Sequence, residues 1–101
     1  MFGFKTRRRH RLRSQPFPTP WLGILDRNVP FYVRLTQVEQ QDLRGDIQIF
    51  IAEKNFEGCG GLEMTDEIKV TIAAYACILL LHIEPRNYYP RLQSILVYPD
   101  A

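Results

Sequence analysis

Between Ile68 and Leu81 the sequence IKVTIAAYACILLL is apolar on nearly every face of a helix, and this constrains the chain more than any other feature. An amphipathic helix needs one covering surface; a helix that is apolar all round needs several. Its start is marked. Thr65 offers an N-cap oxygen, and Asp66 and Glu67 put negative charge in the first turn, where the helix dipole favours it. Those two carboxylates invite an acid/base reading, but neighbours on a helix point about 100° apart and rarely share a substrate. Capping accounts for them. The run is also far too short to span a bilayer.

Immediately upstream, Asn55, Phe56 and Glu57 lead into Gly58, Cys59, Gly60 and Gly61. Such a turn calls for positive φ at one or more positions, or for very close backbone approach. It is not a phosphate loop, because the lysine and Ser/Thr of GxxxxGK[ST] are absent and no βαβ unit surrounds it.

One covering surface for the apolar helix is visible. Thr36 followed by Glu39 is a capping-box pattern, and it predicts a helix running to about Lys54. Val38, Leu43, Ile47, Phe50 and Ile51 form its apolar stripe, with Gln40, Gln41, Arg44, Gln48 and Glu53 toward water. Gly45 weakens this helix by roughly 1 kcal/mol relative to alanine. Two readings of it stand: close packing of a neighbouring element, or a surface glycine.

A shorter helix is predicted from Trp21 to about Arg27, offering Trp21, Leu22, Ile24 and Leu25 to the core until Pro30 interrupts it. Pro85 to Pro90 reads as a loop, and Ser94 to Tyr98 as a short strand ended by Pro99. Its one visible partner is the segment around Phe56. A two-stranded pair is marginally stable at best, and the apolar helix lacks cover, so further sequence is expected beyond these residues.

Charge is uneven. Lys5, Arg7, Arg8, Arg9, Arg11 and Arg13 crowd the first 14 residues, and all 11 acidic residues come later, so the net +2 combines a cationic arm with a mildly anionic body. The arm could attract nucleic acid or an anionic surface through phosphate neutralisation. A solvated tail is the preferred reading, because no aromatic interleaving beyond Phe2 and Phe4 and no groove-binding motif accompanies it. Pro16, Pro18 and Pro20 then predict an extended connector. Residues 1–20 are therefore assigned as a flexible basic, Pro-rich arm and 21–101 as the globular region.

The two cysteines, Cys59 and Cys77, form no CxxC pair, and two thiols in a chain without a secretory signal are expected to be reduced. His82 suits a helix C-terminus or a carbonyl partner better than a metal, and His10 sits in the arm. A basic start with no apolar h-region points to a cytoplasmic protein.

The segments PWLGILDRNVPFYVRL, IFIAEKNFEGCGGLEMTDEIKVTIAAYACILLL and SILVYP closely resemble the N-terminal third of the Mlc titration factor A family of cytoplasmic bacterial zinc metallopeptidases. The start MFGFKTRRRHRLR and the connector PFPTP resemble its proteobacterial branch. The resemblance implies an α+β fold: a helical N-terminal part with a small β-sheet, an incomplete portion of a zincin-like peptidase. In that family, zinc is held by an HExxH helix and a later third ligand. Two histidines at i and i+4 offer both rings from one face, and the glutamate between them activates the bound water. No HExxH occurs here, so no catalytic, cofactor-binding or metal-ligating residue is assigned to this chain. Zinc, a peptide substrate and peptide-bond hydrolysis are expected of the complete protein, with this chain inactive alone. Its expected partner is the catalytic region of the same protein. The alternative is a non-catalytic interaction module that binds an Mlc-type repressor or, through the arm, nucleic acid. Nucleic acid is the less favoured partner, and no membrane is expected.

Overall fold

The computed structural model describes residues 3–99. The first two residues of the arm and the last two of the globular region lie outside them. The longest helix, α3 (Gln37–Glu53), begins at the capping box. The Glu39 amide donates to the Thr36 hydroxyl at 3.1 Å, and the Thr36 amide donates to the Glu39 carboxylate at 2.9 Å, so two free amides are satisfied reciprocally. Leu43, Ile47 and Phe50 are buried as the stripe predicts. Val38 is not, being 74% exposed in the first turn.

The apolar helix α4 (Asp66–Ile78) starts at Thr65, whose hydroxyl accepts from the Ile68 amide at 3.3 Å. It stops three residues before Leu81, and the chain continues in a turn. Val70, Ala73, Ala74 and Cys77 are buried against α3 and against α2 (Thr19–Asn28). The opposite side keeps Tyr75 and Leu79 exposed. Two helices cover part of an all-apolar surface and leave the rest.

α2 begins earlier than predicted because proline is accommodated in a first helical turn, where its missing N–H costs nothing, and Pro20 sits there. Ile24 and Leu25 are its buried residues, while Leu22 faces out. After Pro30 the chain makes a 3₁₀ turn (Pro30–Arg34) that buries Tyr32.

The glycine turn closes as its composition requires: Gly60 and Gly61 take φ of 62° and 82°, and the Leu62 carbonyl occupies the space a side chain on Gly58 would need. The fold is α+β. Its sheet is a parallel pair, β1 (Asn55–Gly58) and β2 (Ser94–Val97), with Phe56 opposite Ile95. Phe50 joins the helices to this sheet, its ring edge-on to Phe56 at 6.2 Å and to Tyr89 at 6.1 Å between centroids.

The largest departure from the sequence reading is the arm. Residues expected to be flexible form α1 (Phe4–Ser14), which lies on α3. No α1 residue is fully buried, so ionic contacts attach it far more than apolar ones. Among the described residues no helix is long and apolar enough to cross a membrane.

Candidate functional site

One face of α3 carries Asp42, Asp46, Ile49 and Glu53, spaced so that successive turns of the helix present them together. The facing side of α1 carries Arg9, Leu12 and Arg13. With the helices antiparallel, the two sets meet. Arg9 grips Glu53 with two bonds of 2.7 Å, one to each carboxylate oxygen, the geometry in which a guanidinium binds most strongly. Leu12 packs on the small cluster of Ile49, Leu80 and Tyr88.

Arg13 reaches further. Its Nη1 donates to the Asp42 carboxylate at 3.1 Å, and its Nη2 donates to Asp46 and, at 2.8 Å, to the Tyr88 hydroxyl. From the opposite side Arg86 Nη1 donates to Asp46 Oδ2 at 2.7 Å and to Asp42 Oδ2 at 2.9 Å, and the Tyr88 hydroxyl donates to Asp46 Oδ1 at 2.6 Å. Asp46 is completely buried, with both oxygens engaged. Two guanidinium charges face two carboxylates, so the cluster is balanced as a buried group must be. Among the described residues no buried side-chain polar atom lacks a partner.

This arrangement is a clasp, not a catalytic centre. A general base must be reachable by its substrate, and Asp46 is completely buried beneath the Arg13, Arg86 and Tyr88 donors. Burial, and then the hydrogen bond to Asp46, push the Tyr88 hydroxyl well above the ordinary tyrosine range, so it stays protonated. Burial, helped by the charges of Lys5 and Arg9 and opposed by Glu53, lowers the Lys54 ammonium, which donates to the Tyr89 carbonyl at 2.8 Å.

Two open clefts flank α1. One of about 640 Å³ is lined by Lys5, Arg8, Arg9 and Lys54 with Glu53, and another of about 450 Å³ includes His10, Arg13, Asp42 and Arg86.

The described residues do not fit zinc. Among the described residues no three His, Cys, Asp or Glu side chains gather where they could hold a metal. The Cys77 thiol is buried and, chiefly for that reason, pushed far above the usual range, opposite to what a thiolate ligand needs. Cys59 stands apart from it, and both are free thiols. His82 Nε2 lies 2.7 Å from Glu39 Oε2, a carboxylate partner that neither sequence reading, a helix C-terminus or a carbonyl, names. The turn places it there with a φ of 67°.

Sequence reading missed Asp46, Arg86 and Tyr88 altogether, and placed Gln48 and Glu53 toward water. Gln48 is buried, donating to the Gln15 and Pro16 carbonyls. A signal was present: acids at 42, 46 and 53 along one helix face complement arginines at 9 and 13 along another.

With the geometry described, three comparisons bear on what the chain is. The family model described as glucose-regulated metallo-peptidase M90 matches residues 4–101. An uncharacterized protein of Synechocystis sp., slr2042, is 45% identical over 94 residues, covering 93% of this chain and 34% of that protein. The chain thus spans about a third of the length of the curated relative it matches. No solved structure matches it.

Proposed function

Because the chain belongs to the glucose-regulated metallo-peptidase M90 family, we propose that it is the supporting region of a zinc-dependent peptidase of the Mlc titration factor A type. One observation carries this reading: the family match runs through nearly the whole chain, yet the chain covers only 34% of a 45% identical relative. The donor set described above supports placing the zinc ligands in other parts of the polypeptide. Zinc, when bound there, supplies a Lewis acid and an activated water for peptide-bond hydrolysis.

The residues of this chain contribute support. The clasp around Asp46 ties α1, α3 and the loop carrying Arg86 and Tyr88 into one body, and α4 and the small sheet present unfilled apolar surface to the remainder of a zincin-like fold. The complete protein is proposed to act in the cytoplasm on peptide substrates, with a repressor of the Mlc type as a protein partner.

The test compares the longer protein with the 101-residue chain in parallel. Stoichiometric zinc and cleavage abolished by a chelator are expected in the longer protein alone. Zinc retained after dialysis by the 101-residue chain, or a longer protein that neither holds zinc nor cleaves, would sink the reading.

A further inference from the structure

The sheet is the least complete part of the molecule. Parallel sheets are built with both faces covered, and here one face is. Phe56 and Ile95 turn to the core, whereas Glu57 and its ladder partner Leu96 turn outward, with Leu96 53% and the following Tyr98 63% exposed. An edge is open as well. The Asn55 amide donates to the Gln93 carbonyl and the Cys59 amide to the Val97 carbonyl, both at 2.8 Å. In a parallel ladder this turns Gln93, Ile95 and Val97 toward β1 and leaves the peptide groups of Ser94, Leu96 and Tyr98 pointing away.

Free edges in natural sheets carry lysine, proline or a bulge that refuses a new strand. Within Ser94–Val97, Ser-Ile-Leu-Val, there is none of these, the first proline being Pro99 two residues beyond the strand, whereas β1 contains Glu57 and follows directly on Lys54.

We propose that the free edge of β2 receives a further β-strand from the part of the same polypeptide that lies outside this chain, laid beside Leu96 and Tyr98. This rests on the reading that the chain is one region of a longer peptidase. The occupant follows from size and tethering. With this chain covering 34% of its relative, most of such a protein is additional polypeptide. A strand in the same molecule also meets the edge at a local concentration on the order of millimolar, which a second copy does not reach unaided.

Amide hydrogen exchange on the longer protein reads the edge directly. The Leu96 and Tyr98 amides are expected to exchange at least ~100-fold more slowly than in an unstructured chain, as Ile95 and Val97 do, at every protein concentration. Fast exchange at Leu96 and Tyr98 beside protected Ile95 and Val97 overturns the proposal. Protection that appears only on dimerisation assigns the edge to a second copy and overturns it too. Leu96→Pro removes an outward amide and no bond to β1, so its melting temperature is expected to fall well below that of Leu96→Ala; equal values count against a docked strand. Zinc content and chelator-sensitive cleavage in the same preparation report on the peptidase reading separately. An active zinc protein with an unprotected edge sinks the strand alone, and a zinc-free, inactive protein with a protected edge sinks the peptidase alone.

Discussion

Arg13 lies across the bare backbone of Gly45, with its Cγ 2.7 Å and its Nη1 2.5 Å from where a β-carbon on residue 45 would stand. The glycine that weakens α3 as a helix is the one that lets α1 come close enough for Arg13 to reach Asp46. Of its two sequence readings, close packing is the one the structure shows.

Gly45→Ala therefore sets two effects against each other. Alanine gains about 1 kcal/mol of helix propensity, and overpacking costs about 1–3 kcal/mol. The Cγ of Arg13 is tethered near its own backbone, so it yields only if α1 moves. A net loss of about 1 kcal/mol is expected, with faster amide exchange confined to α1. A more stable protein with α1 protection unchanged would show that the contact is slack.

Asp46→Asn leaves Arg13 and Arg86 facing one another with Asp42 and, for Arg86, the exposed Glu84 at 3.5 Å as the remaining counter-charges. Breaking a buried ion pair by removing one partner costs about 3–5 kcal/mol, and Asp42, being partly exposed, offsets a portion. A loss of about 3 kcal/mol in urea unfolding is expected. A loss under about 1 kcal/mol would mean that the clasp contributes little. Deleting residues 4–14 removes Arg13 from the same carboxylate, so that truncation is expected to destabilise the body, unlike the loss of a solvated tail.

The Arg9 hydrogen bond holds the Glu53 carboxyl below its ordinary range, reinforced by the charges of Arg9, Lys5 and Lys54 and opposed by burial. A carboxyl with a lower pKa in the folded state binds fewer protons when folded. Its contribution is complete above the unfolded value of about 4.3 and disappears as pH falls through the lower folded value. α1 is expected to loosen in that acid window, and at high salt, where the partly exposed pair is screened. Glu53→Gln should cost about 1 kcal/mol at neutral pH and remove this share of the acid dependence. An unchanged pH profile in the variant would assign the acid sensitivity to other carboxyls.

Burial, and after it the charge of Asp46, raise the Cys77 thiol, so the nucleophilic thiolate is scarce there. Iodoacetamide at mildly alkaline pH is expected to modify Cys59 to completion while Cys77 survives until urea unfolds the chain. Mass spectrometry after proteolysis checks this. Equal modification of both in the folded protein would contradict the burial of Cys77.

Local signals were legible from residues alone. The capping box at Thr36 and Glu39, the cap at Thr65, the glycine turn, the buried positions Leu43, Ile47 and Phe50, and the strand at Ser94 each depend on neighbours within a few positions, where short-range backbone and side-chain physics decides. Family membership was legible for the same reason, since the turn and the IAA helix are contiguous. Tertiary structure decided the rest. Whether six cations make a loose tail or a docked helix depends on an acidic face about thirty to forty residues away, and a charged side chain faces water or a partner according to what is brought beside it. The all-apolar helix is the plainest case. Sequence determined that Ile68 to Leu81 needs several covering surfaces; only the packing showed that α2 and α3 cover one side and leave Tyr75 and Leu79 exposed, because burial is a property of the neighbours that arrive and not of the segment that awaits them.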